Sequence, residues 1–253
     1  MPEFDLMKAQ EKLIVALDVD TARQALDLFE ALRETVSMFK IGMQLFTATG
    51  PGLVRQIVAR GGRVFLDLKY HDIPNTVSLA GIEATRLGVS IFNLHASGGA
   101  EMMKRTAEAV AETATREGLL KPKVIAVTLL TSLDQRSLEQ IGFNNEPRSS
   151  VSRLARMAED CGLDGVVASP QEIEIIRQTI SNSNFLIVTP GIRSGSDLSD
   201  DQRRTLSAAE AIRAGADYVV VGRPILNATN PVEQARKFVE EIAGARRASA
   251  QLS

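Results

Sequence analysis

The chain has 253 residues, 44% of them hydrophobic, with 29 basic and 31 acidic side chains and a formal net charge of −2. That balance, without a basic block interleaved with aromatics, argues against nucleic-acid binding. No stretch approaches the roughly 20 apolar residues of a membrane span, and the single Cys161 excludes an intramolecular disulfide and suggests no zinc site. The length fits a (β/α)8 barrel, although two small domains would need no more.

Met1 to Lys12 carries Glu3, Asp5, Lys8, Glu11 and Lys12 with no apolar run, so it does not read as a signal peptide, and a cytoplasmic location is the default expectation. Beyond it, short apolar runs recur at Leu13–Val19, Ser37–Ile41, Arg63–Lys69, Val89–His95, Lys123–Leu129, Gly165–Ser169, Phe185–Thr189 and Asp217–Val221. Most are near-continuous Val, Ile, Leu and Phe, as expected for strands of a parallel sheet covered on both faces. Segments of helical periodicity lie between them: Ala22–Leu32 has Ala25, Leu28, Phe29 and Leu32 on one face, and Gly99–Glu117 and Ser150–Asp160 behave similarly. The junctions at Gly61-Gly62, Gly88, Gly162 and Gly215 share one plan: a helix end, a glycine suited to the left-handed cap conformation, then a buried strand. This repetition predicts α/β architecture, a (β/α)8 TIM barrel forming one domain over residues 1–253, with a small, polar tail that frays from about 243. A doubly wound sheet would fit if one strand assignment were wrong.

In a barrel, the carboxyl ends of the strands make the active site. Polar residues gather there: Asp18, Lys40, Asp67 with Lys69, Asn93 and His95, Thr128 and Thr131, Ser169, Pro190-Gly191-Ile192-Arg193, and Gly222-Arg223. The densest group is Leu66-Asp67-Leu68-Lys69-Tyr70-His71-Asp72-Ile73-Pro74-Asn75-Thr76, where an acid and a base leave the same strand face and Asp72 follows in the loop. Charges at an apolar strand end require partners; a structural ion pair and a catalytic pair account for Asp67 and Lys69 about equally well. Gly222-Arg223 after the eighth strand suits a phosphate, since the glycine admits a ligand to the backbone and the arginine supplies a forked donor. The polar stretch Arg193–Arg204 could serve as a closing lid or be an ordinary solvated loop. His71 and His95 are far apart in sequence and lack the spacing of a metal pair. No Gly-x-Gly-x-x-Gly follows the first strand and no P-loop motif occurs.

Asp67-Leu68-Lys69-Tyr70-His71-Asp72-Ile73-Pro74-Asn75-Thr76 resembles the signature of the orotidine 5′-phosphate decarboxylase family in its bacterial form. Val15-Ala16-Leu17-Asp18, Phe39-Lys40-Ile41-Gly42, Val127-Thr128-Leu129-Leu130-Thr131-Ser132, Thr189-Pro190-Gly191-Ile192-Arg193, Asp201-Gln202-Arg203-Arg204 and Val221-Gly222-Arg223-Pro224-Ile225 also resemble family segments, in order along nearly the whole chain. Sugar-phosphate enzymes share the Asp-x-Lys-x-x-Asp core; the His-Asp-Ile-Pro-Asn-Thr continuation is more specific.

The resemblance implies decarboxylation of orotidine 5′-phosphate to uridine 5′-phosphate, a step of pyrimidine synthesis, with neither metal nor organic cofactor. It implies a homodimer in which Lys40, Asp67, Lys69 and Asp72 form an alternating chain of charges, Asp72 coming from the other subunit. Asp18 and Lys40 would hold the ribose hydroxyls, with Thr76 reaching in from the neighbour. Thr131 would meet the pyrimidine, and Gln202 would reach phosphate and base. Gly222 and Arg223 would grip the phosphate, helped by the segment containing Pro190 and Arg193, and Lys69 would protonate the ring carbon. A magnesium-dependent sugar-phosphate lyase and a non-catalytic nucleotide sensor are the competing readings.

Overall fold

The computed structural model describes residues 2–143, 146–192 and 206–250. Eight parallel strands, β1 (Leu13–Ala16), β2 (Met38–Gly42), β3 (Arg63–Tyr70), β4 (Ile91–His95), β5 (Lys123–Val127), β6 (Gly165–Val167), β7 (Leu186–Thr189) and β8 (Tyr218–Val221), pair in sequence order. The barrel closes where Ile14 of β1 lies opposite Val220 of β8. Closure rules out the doubly wound alternative; seven strands begin and end within two residues of their predicted bounds, and β1 stops three residues before Val19.

Alternation along each strand builds two cores. Ile14, Met38, Phe65, Ile91, Ile125, Val167, Val188 and Val220 point inward and fill the barrel. Their neighbours Val15, Phe39, Leu66, Phe92, Ala126, Val166, Ile187 and Val219 point outward against the helices. The first helix after β1, Ala22–Leu32, starts at a capping box between Thr21 and Gln24 and buries Ala25, Phe29 and Leu32. Phe29 meets Phe39 edge-on, with ring centroids 5.1 Å apart. Gly62 permits that approach, because a Cβ there would lie 2.5 Å from the Phe29 ring. Gly88 and Gly215, with φ of 74° and 112°, turn the chain from helix into strand as their sequence context predicts.

The N-terminus holds a helix that was not expected from the sequence, and the C-terminus differs from the expected frayed tail. Pro2–Gln10 is a helix whose Ala9 is buried, and it packs on the last helix, Pro231–Ala250. That last helix does not fray at 243. Phe238, Val239, Ile242, Ala243 and Ala245 are all buried, because small residues let the helix lie close against its neighbours. Among the described residues, no helix is long and apolar enough to cross a membrane.

Candidate active site

At the carboxyl ends of the strands the inward positions change from apolar to polar. Two residues beyond Ala16, Met38, Phe65, Ile91 and Val220 stand Asp18, Lys40, Asp67, Asn93 and Gly222, on the same strand faces by the period of two. The charges form a line. Lys40 Nζ lies 3.1 Å from Asp18 Oδ1 and 3.4 Å from Asp67 Oδ2, and Lys69 Nζ donates to Asp67 Oδ1 at 2.6 Å. Solvent screens only its outer end, since side-chain exposure falls from 50% at Asp18 to 13% at Lys40 and 12% at Asp67, with Lys69 at 24%. Holding this much charge out of water is a poor source of stability, which favours a functional reading over a structural ion pair.

Burial pushes the Asp67 carboxyl upward in pKa, but the charges of Lys40 and Lys69 and hydrogen bonds from Lys69 and Asn93 outweigh it and hold the group below the usual carboxylate range. Asp67 is therefore ionised at neutral pH. Burial, then the nearby His71 and Lys69, lower the pKa of His95, so its ring is neutral there. Lys69 itself has a φ of 50°, alone among the described non-glycine residues in being positive. The strain falls where the register between β3 and β4 shifts, between Leu66 and Tyr70.

Two glycines leave room beside the charges. A Cβ on Gly42 would stand 3.1 Å from Lys40 Nζ, and one on Gly222 would stand 3.3 Å from Asp18 Oδ2. Gly222 begins a short helix, Arg223–Leu226, with Arg223 exposed. Thr131 sits half-buried in the turn after β5, and Pro190 follows β7. Arg193, Gln202 and the predicted lid 193–204 lie outside the described residues.

Asp72 and Thr76 are exposed. Asp72 Oδ1 accepts from the Ile73 main-chain N–H at 2.6 Å, and among the described residues no ion pair includes Asp72. The histidines stand closer than their separation in sequence suggests. Although 24 residues separate them, β3 and β4 are neighbours, and the His71 and His95 rings lie 5.4 Å apart. Among the described residues no group of three or more His, Cys, Asp or Glu is placed to hold a metal ion. Thr128 is structural, its hydroxyl donating to the Val167 carbonyl at 3.2 Å.

Asn93, one of the polar strand-end residues with no role implied by the sequence, ties two members of the line together. Its Oδ1 accepts the Lys69 main-chain N–H at 2.8 Å, and its Nδ2 donates to Asp67 Oδ1 at 2.7 Å. The available signal was a carboxamide two residues after Ile91 on a strand face otherwise given to the core.

A closed (β/α)8 barrel with a largely buried chain of alternating charges at its catalytic end defines a barrel enzyme that works by placed charge. The comparisons narrow that class. The chain belongs to the Orotidine 5′-phosphate decarboxylase / HUMPS family, whose profile matches residues 11–238. A protein of Geotalea daltonii named orotidine 5′-phosphate decarboxylase is 50% identical over 235 residues, covering 93% of this chain and 97% of that one. Another of the same name from Geobacter sulfurreducens is 50% identical over 235 residues, again 93% and 97% of the two chains. The crystal structure of orotidine 5′-phosphate decarboxylase from Lactobacillus acidophilus has a TM-score of 0.81 and 33% identity, covering 92% of this chain and 99% of that chain.

Proposed function

We propose that this chain decarboxylates orotidine 5′-phosphate to uridine 5′-phosphate, with Lys69 as proton donor and no metal or organic cofactor. The observation that carries this reading is the line Asp18–Lys40–Asp67–Lys69 at the mouth of the barrel. The bond between the ring carbon and the carboxylate breaks, carbon dioxide leaves, and the electron pair stays on the ring carbon. No carbonyl is positioned to delocalise that pair, so the ammonium of Lys69 stabilises it and then transfers a proton to it. The neutral amine regains a proton from solvent. Asp67, ionised and 2.6 Å from Lys69 Nζ, holds the ammonium in place at the end of the line before the reaction.

The substrate runs across the mouth. Asp18 and Lys40 hold the ribose hydroxyls, Thr131 meets the pyrimidine, and Gly222 and Arg223 bind the phosphate with help from Pro190, Arg193 and Gln202. The proximity of Gly222 to Asp18 supports this order, since it puts the phosphate end beside the ribose end. The barrel is the whole functional domain, and the enzyme works in the cytoplasm. Its test is the ultraviolet band of orotidine 5′-phosphate incubated with the purified protein and excess chelator. The band should decay, whereas persistence in chelator with decay only after magnesium is restored would support a metal-dependent enzyme instead.

The working unit is a homodimer in which Asp72 and Thr76 complete the neighbour's site. Supporting it, Asp72 is exposed, and among the described residues it makes no ion pair with the charged line that it would extend. Ile73 next to it, and Leu79 on the helix that follows, are large apolar side chains left 66% and 53% exposed. Thr76 and Leu79, three apart on the helix Pro74–Arg86, share a face. Mixing inactive Lys69→Ala with inactive Asp72→Ala chains should then restore up to about a quarter of wild-type activity, because half the dimers are mixed and each mixed dimer holds one intact site. No recovery after proven subunit exchange would place Asp72 outside the neighbour's site.

A further inference from the structure

We propose that Asn93 is a positioning residue for this reaction: its carboxamide locks the Asp67 carboxylate to the main chain of Lys69, and so fixes the direction from which the ammonium meets the reacting carbon. The assignment rests on the decarboxylase reading above. Asn93 is fully buried on the inner face of β4, where an amide without partners would be costly. Both its ends are engaged across the barrel wall. The Lys69 N–H can only donate, so it must face Oδ1, which leaves Nδ2 to face an ionised carboxylate that can only accept. The orientation of the amide thus follows from its neighbours.

The strained backbone gives this clamp its purpose. Where the β3–β4 register shifts, the side chain of Asn93 takes up the Lys69 N–H, and Lys69 is held at a φ of 50°. That conformation is unfavourable for a lysine and persists only where the surroundings impose it. The same carboxylate oxygen, Asp67 Oδ1, receives both Asn93 Nδ2 and Lys69 Nζ. Main chain, ammonium and carboxylate are therefore tied in one ring of hydrogen bonds, with Asn93 as the member that carries no charge and needs no contact with substrate. An aspartate of the same shape would keep the acceptor but set a second carboxylate against Asp67, and an alanine would release both partners.

The test compares full-length wild type, Asn93→Ala and Asn93→Asp for kcat and KM against pH, for uridine 5′-phosphate affinity, and for thermal unfolding. Asn93→Ala should lose about 10- to 100-fold in kcat, the range seen when groups that orient metal ligands are removed, while KM and uridine 5′-phosphate affinity stay within about threefold. Asp67 loses a donor to its charged form, so the acid limb of the activity profile should move to higher pH. Asn93→Asp serves if the alanine variant fails to fold. Its carboxylate would face that of Asp67, so activity should fall as rising pH removes the proton the pair shares and recover as the pH falls and that proton is regained. A wild-type kcat and pH profile in either folded variant, with only thermal stability lowered, would overturn the assignment and leave Asn93 a structural residue. So would a loss confined to KM. Absence of turnover by the wild type itself would overturn the decarboxylase reading, and the assignment with it.

Discussion

Replacing Lys69 with alanine should lower kcat by at least about 10⁵-fold, from the combined loss of charge stabilisation and proton delivery. An ammonium roughly 4 Å from the developing carbanion is worth about 4 kcal/mol at an effective dielectric near 20, which is about 10³-fold in rate. General-acid catalysis by a placed group adds about 10²- to 10⁴-fold. The partial exposure of Lys69 argues for the low end of each figure. Stability should change much less. Asp67 keeps Lys40 and Asn93 as partners after the substitution, so no buried charge is stranded. Alanine at a φ of 50° is no more strained than lysine. Steady-state absorbance assays with and without chelator, together with a thermal scan, decide the matter. A folded variant that keeps more than about a hundredth of the wild-type rate would remove Lys69 as the proton donor, because charge stabilisation alone accounts for more than that.

The strands were legible because they are buried on both faces. A parallel strand flanked by barrel core and helix layer reads as a continuous apolar run, and Leu13 to Ala16 or Lys123 to Val127 stand out on that ground alone. Asp18, Lys40, Asp67 and Lys69 were legible for the converse reason: charge is conspicuous at the end of such a run. What escaped was whatever depends on register between strands. Asn93 lies 24 residues from Lys69 and 26 from Asp67. Only the pairing of β3 with β4, and the shift within it, brings the three together. The proximity of His71 and His95 was lost in the same way. The N-terminal helix was missed because Pro2–Gln10 shows no apolar periodicity of its own, and its contact with the last helix lies more than two hundred residues away in sequence. The alanines near 243 were mistaken for a loose tail because small residues signal disorder and close helix packing alike.

Removing the phosphate from the substrate should lower kcat by at least about 10²-fold, in addition to weakening binding. A group that bound substrate and transition state equally would alter KM alone. The phosphate reaches past that limit because of where its proposed site lies. Gly222 abuts Asp18, Asp18 pairs with Lys40, and Lys40 pairs with Asp67, which holds Lys69. Fixing the phosphate end therefore fixes the ribose against the same line of charges that aims the proton donor. A misplacement of only about 1 Å at the reacting carbon costs on the order of 10²-fold. The check is kcat and KM for orotidine against orotidine 5′-phosphate, each with wild type and Arg223→Ala. Arg223→Ala should lower kcat for the phosphorylated substrate and add almost nothing to the loss for orotidine, because the two changes remove one interaction and cannot be additive. Equal kcat values for the two substrates would reduce the phosphate to an anchor. Additive losses would move its site away from Arg223.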